Sequence, residues 1–129
     1  MSPKEKKRVL VVDDEKTILD LARSLLEDAG YEIVGVRNSK DAMAEVKKKK
    51  VDAMLLDIYL GQENGLSFLT KFKELYADVP VVILTGIGYD NSAIKTALQN
   101  GASGYFSKET GLENVIPVLQ RLMHEQKTS

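Results

Sequence analysis

The chain has no cysteine among its 129 residues. That excludes disulfides, thiolate zinc sites and a cysteine nucleophile, and it fits a cytoplasmic protein. There is no surplus of charge either: 18 basic against 19 acidic residues give a net charge of -1. A nonspecific nucleic-acid binder is normally clearly basic, so that class is set aside. No apolar run approaches the ~20 residues of a membrane helix. The basic start, Met1 to Arg8, leads into only four apolar residues, too few for a signal-peptide core. Linkers and low-complexity stretches are absent as well. What remains is ordinary globular composition, 43% hydrophobic and 29% charged. The length suits one domain. We expect a single domain over 1–129 with its core at 8–124, mobile tails at 1–7 and 125–129, and no effector domain after the last helix.

Apolar runs alternate with helical periodicity along the chain. Val9–Val12 is a β-branched run ending at Asp13-Asp14. Ile18, Leu21, Ala22, Leu25 and Ala29 then follow the i, i+3, i+4, i+7 spacing of a helix face, and Gly30 stops it as a C-cap glycine. Ile33, Val34 and Val36 form a second, less apolar strand nearer an edge. Ser39 is the expected N-cap of a helix carrying Ala42, Met43 and Val46. Ala53–Leu56 is a third buried strand ending at Asp57. A polar loop, 61–65, precedes a helix with Leu66, Leu69, Phe72, Leu75 and Tyr76 on one face. Val81–Leu84 is the fourth strand, ending at Thr85-Gly86. Ala93, Ile94, Ala97 and Leu98 mark a fourth helix, and Gly104–Phe106 a fifth strand ending at Ser107-Lys108. Val115, Val118, Leu119, Leu122 and Met123 mark the last helix. Pro117 would be costly in a helix interior and is harmless in a first turn. The last helix is therefore expected to start near Asn114; the alternative is an earlier start at the Thr110-x-x-Glu113 capping box followed by a kink. Five β–α units predict an α/β fold, a three-layer α/β/α sandwich around a parallel five-stranded sheet.

In open α/β sheets, ligands bind beyond the carboxyl ends of the strands. Asp13 and Asp14 follow strand one, Asp57 strand three, Thr85 strand four and Lys108 strand five. Three carboxylates at close range cannot all stay ionised without compensation. Mg²⁺ supplies it, since it is held by one or two carboxylates plus waters and phosphate oxygens. A carboxylate beside such a cation and a lysine can attack phosphorus and form an aspartyl phosphate. The cation, Lys108 and the Thr85 hydroxyl would neutralise the equatorial oxygens.

With this acidic pair, single Asp, Thr and Lys in order, and Gly65 eight residues after Asp57, the sequence resembles a response-regulator receiver domain of two-component signalling. The likeness runs from about Arg8 to Met123. It implies a flavodoxin-like sheet of order 2-1-3-4-5 and Asp57 as phosphoacceptor. It also implies Mg²⁺ held by Asp14, Asp57 and the backbone carbonyl of Tyr59, with Asp13 acting through water. Thr85 and Lys108 would contact the phosphoryl group, and Tyr105 would change rotamer as Thr85 moves. A histidine kinase or histidine phosphotransfer protein would be the donor. The face of helix four, strand five and helix five would meet an unknown output partner or form a homodimer, with no nucleic acid or membrane bound by this domain. Glu109 stands where the family often has proline, Gly61 replaces a common proline, and Gly86 replaces the usual alanine. Tyr59 and Ile87 are expected to border the phosphoryl group and hinder water.

Each residue alone has a plainer reading. Asp14 caps a helix as readily as it binds a metal, Thr85 bonds backbone, Lys108 and His124 are solvated, and Tyr105 is a half-buried strand aromatic. Lys47–Lys50 is a solvated helix end, favourable to the helix dipole. Two other functions compete. Asp13-x-Glu15-x-Thr17 approximates the first motif of haloacid-dehalogenase-type phosphatases, although Asp57 precedes Thr85 where that family's further acidic motif follows the lysine. A phosphorylation-independent interaction module, or a flavin-binding flavodoxin, is the other; Asp13-Asp14-Glu15 would repel the flavin phosphate.

Overall fold

The computed structural model describes residues 6–128, with side chains through Met123. The side chain of His124 and the outer parts of both expected tails lie outside the described residues. Lys7 already accepts a hydrogen bond from Glu32 N at 2.9 Å, and the last helix runs to Thr128.

Five strands form one parallel sheet: β1 (Arg8–Val12), β2 (Glu32–Val36), β3 (Ala53–Asp57), β6 (Val81–Thr85) and β7 (Gly104–Ser107). Their order is β2-β1-β3-β6-β7, which is the expected 2-1-3-4-5 once a small hairpin is counted. That hairpin, β4 (Tyr59–Leu60) with β5 (Glu63–Asn64), pairs antiparallel; it starts just before the stretch read as a polar loop and overlaps it. Every residue of β1, β3 and β6 is buried, as central parallel strands require.

Strand side chains alternate between two cores. Val9, Val11, Leu55 and Leu84 face α1 (Lys16–Asp28) and α5 (Val115–Thr128). Leu10, Val12, Met54, Leu56 and Ile83 face α2 (Ser39–Lys48), α3 (Gly65–Leu75) and α4 (Asn91–Gln99). Ile18, Ala22 and Leu25 of α1 pack inward as expected, but the buried stripe is shifted toward Leu26. Leu26 is buried to 1% exposure, while Leu21 is 45% exposed and Ala29 is exposed. In α3, Phe68 is buried and Leu75 is exposed. Helix α1 ends as expected at Gly30, with φ 96. Tyr31 N bonds Leu26 O and Gly30 N bonds Glu27 O, both at 3.0 Å, the paired bonds of a Schellman ending.

The cap of α2 is Asn38, not Ser39. Asn38 is extended and its side chain accepts from Asp41 N at 2.8 Å. Ser39 is the first helical residue, and both its N–H and its hydroxyl reach the Glu63 carboxylate on the hairpin. Pro117 sits third in α5, within the first turn, where it removes no helical bond. Two 3₁₀ turns, Lys108–Thr110 and Leu112–Asn114, lead into it, separated by Gly111 at φ 102. No peptide bond is cis among the described residues. Arg8 is buried at the opposite end of the sheet, bonding Glu45 at 2.8 Å and the carbonyls of Glu45 and Lys49. Lys48, Lys49 and Lys50 pair with nearby carboxylates on the surface. No helix of the described residues is long and apolar enough to cross a membrane.

Candidate functional site

The order of the sheet reverses between β1 and β3, and a crevice opens there beyond the strand ends. Asp13 and Asp14 leave β1 on one side of it, and Asp57 ends β3 on the other. Carboxylate oxygens of all three lie within 4.8 Å of one another. Asp13 and Asp57 are buried and Asp14 is half-buried. The backbone fixes two of them. Asp13 Oδ1 accepts from Glu15 N at 2.9 Å and Asp57 Oδ1 from Tyr59 N at 2.8 Å. Arg37 on the β2 side holds the carbonyl of Asp14, at 2.8 Å from Nη2 and 3.1 Å from Nε. That positioning role was not read from the sequence.

Lys108 reaches in from the end of β7. Its ammonium lies 2.7 Å from Asp57 Oδ2, 2.9 Å from Asp13 Oδ2 and 2.5 Å from Glu15 Oε1. Burial works against its charge, but bonds to Asp57, Glu15 and Asp13 outweigh that and raise its pKa. Lys108 is therefore a fixed cation, not a solvated one. One ammonium still faces four carboxylates.

Thr85 and Tyr105 stand apart from this cluster. The Thr85 hydroxyl points to Phe106 O at 3.5 Å, the long limit of a hydrogen bond. Tyr105 is 59% exposed on β7. Tyr59 lies at the rim through its backbone N–H. Ile87 does not border the carboxylate: it is 87% exposed. Its place is taken by Tyr89, whose hydroxyl donates to Asp57 Oδ1 at 2.8 Å and Oδ2 at 2.9 Å. Burial, then the bond to the Asp57 carboxylate, raises the Tyr89 pKa well above the ordinary phenol value. Tyr89 is thus a neutral donor. The sequence signal for it was the Gly86-Ile87-Gly88 turn, which sends Ile87 outward and brings the next aromatic back.

The donor set fits a hard divalent cation. It is all oxygen, over-charged and half open to solvent at Asp14. Asp13 Oδ2 also remains without a hydrogen bond of good geometry despite the nearby ammonium. Burial, opposed by the Glu15 N–H and Lys108 and aided by the Asp57 charge, pushes the Asp13 carboxyl up from 3.8 to about 6. Between those values the folded chain keeps a proton that the unfolded chain has lost. The Asp13 contribution to stability is therefore full below about pH 4 and falls away as pH rises through 6. Melting temperatures in metal-free buffer are expected to decline across this window relative to Asp13→Asn. Parallel profiles for the two proteins would contradict it.

A family profile for the response regulator receiver domain matches residues 9–120. The nitrogen assimilation regulatory protein NtrX of Azorhizobium caulinodans is 31% identical over 117 residues, 89% of this chain and 26% of that protein. The phosphate regulon transcriptional regulatory protein PhoB of Pseudomonas aeruginosa is 32% identical over 119 residues, 91% of this chain and 52% of that one. A CheY-like response regulator receiver domain protein from Methanospirillum hungatei superposes with a TM-score of 0.89 at 26% identity, covering 96% of this chain and 98% of that one. The structure of NtrX from Brucella abortus gives a TM-score of 0.88 at 28% identity, over 96% and 28%. The chain spans about a quarter to a half of the length of these curated relatives.

Proposed function

We propose the role of Asp57 from one premise: this chain belongs to the response regulator receiver domain family. Asp57 is the phosphoacceptor, and its donor is the phosphohistidine of a histidine kinase or histidine phosphotransfer protein. The observation that carries this is the junction of Asp13, Asp14, Asp57 and Lys108 at the switch point of the sheet.

An Asp57 carboxylate oxygen attacks phosphorus, the P–N bond breaks, and the departing imidazole nitrogen keeps the electron pair and takes a proton. Lys108, already 2.7 Å from Oδ2, balances the charge on a phosphoryl oxygen. Thr85 turns from Phe106 O toward the phosphoryl group, and Tyr105 on the adjoining strand follows into the space behind it. Asp14, Asp57 and the Tyr59 carbonyl would hold Mg²⁺, with Asp13 acting through water. Bound there, the cation offsets the negative charge on the transferring group. The change of about 1.5–2 charges then biases the face made by α4, β7 and α5, which meets the output partner or a second copy of the chain. Steady turnover of a phosphomonoester is not expected.

An acyl phosphate is labile to hydroxylamine, whereas a phosphoserine or phosphothreonine ester is stable. Label taken up from acetyl phosphate is expected to be released by neutral hydroxylamine. Label that survives the treatment would contradict the assignment.

A further inference from the structure

We infer that Tyr89 is a gate over the phosphoacceptor: its hydroxyl occupies the Asp57 lone pairs that a divalent cation and a phosphoryl donor need, so both bind only after it swings away. The inference rests on Asp57 being the acceptor.

A carboxylate offers about four lone-pair sites. In this site three donor hydrogens cover them, the single phenol hydrogen of Tyr89 being shared between the two oxygens. Oδ1 accepts from Tyr59 N and from Tyr89, and Oδ2 accepts from Lys108 and from Tyr89. An attacking oxygen needs one free pair toward phosphorus, and a metal needs another. The Tyr59 N–H is fixed by the main chain. Lys108 is held by two other carboxylates. Tyr89 alone can leave by side-chain rotation, and as a neutral donor it gives up less than an ion would.

Two further contacts set its resting position. The Tyr59 ring meets it edge to face at 4.5 Å between centroids, 74° apart. A Cβ built on Gly86 would lie 3.1 Å from Tyr89 Cε1 and 3.5 Å from Cζ. A methyl at position 86 would crowd the ring by a few tenths of an ångström in the pose it holds over Asp57. The absence of a side chain there and the presence of a tyrosine three residues later belong to one device.

The test is Mg²⁺ binding by calorimetry, together with the rate of phosphoryl uptake by intact mass, for the native chain, Tyr89→Phe and Gly86→Ala. Tyr89→Phe keeps the ring and removes the donor. Loss of a bond to a charged group predicts Mg²⁺ affinity and uptake rate both raised about ten- to a hundredfold. Gly86→Ala, which crowds the ring, is expected to move both in the same direction. Unchanged or weaker Mg²⁺ binding in Tyr89→Phe overturns the gate, as does absence of Mg²⁺ binding in every protein. Tighter Mg²⁺ in Tyr89→Phe with no uptake by any protein supports the gate on the cation and removes Asp57 as phosphoacceptor instead.

Discussion

Asp57→Asn is expected to lower phosphoryl uptake to about one-hundredth of the native rate or less while leaving the fold intact. An amide oxygen carries no full charge and is a poor nucleophile toward phosphorus. The structural roles of Asp57 survive the change. An amide oxygen still accepts from Tyr59 N and Tyr89, and Lys108 keeps Asp13 and Glu15. Removing one charge from a crowd of carboxylates within 4.8 Å also relieves repulsion in the absence of a cation. Loss of uptake with a melting temperature at or above that of the native chain is therefore the signature of lost chemistry. Uptake by the variant at the native rate, mapped by peptide digestion to another residue, would show that Asp57 is not the acceptor.

Gly65→Ala is the second large effect, and it acts through packing. A Cβ at position 65 would lie 2.6 Å from Ile58 Cα and 2.8 Å from Ile58 O, with Asp57 O at 3.0 Å. These are backbone atoms, so no side-chain rotation relieves the clash. Gly65 N also donates to Ile58 O at 2.9 Å, which ties the start of α3 to the residue after Asp57. Overpacking of this kind costs about 3 kcal/mol, a fall in melting temperature of about 10 °C for a chain of this size. The strain also pushes on Asp57 and Ile58 directly. A melting temperature within about 2 °C of native would show that the loop relaxes freely.

Much of the fold was legible because burial on both faces leaves a plain mark. The apolar runs of β1, β3 and β6 needed no periodicity to be found, and Gly30 and Pro117 punctuated the helices where they were expected to. The misses have local causes. Helix α1 carries leucines at 19, 21, 25 and 26, enough to draw more than one apolar stripe, and only packing against β1 and α5 selected Leu26 over Leu21. Asn38 and Ser39 are both good caps. The extended backbone at 38 decided between them. The hairpin has two residues in each strand, below the length at which alternation carries information.

The candidate site was read through its charges. Asp13, Asp14, Asp57 and Lys108 meet at one rim, as their positions after successive strands required. Sequence could not show that Lys108 is shared with Glu15, because Glu15 sits beyond the end of β1 at the cap of α1, where no strand position aims its side chain at the rim. Nor could it rank Ile87 against Tyr89. Spacing from Thr85 favoured Ile87, but the glycine on each side of it makes a turn that faces it to solvent. Arg37 was invisible for a similar reason: its target is a main-chain carbonyl on another element.

Covalent capture of phosphate by the native chain is the property on which the proposed role of Asp57 depends. Intact mass after incubation with acetyl phosphate, with and without Mg²⁺, measures that directly. The expected result is a gain of one phosphoryl group, dependent on Mg²⁺ and mapped to Asp57. A gain that persists when Mg²⁺ is chelated, or that maps away from Asp57, would contradict the account.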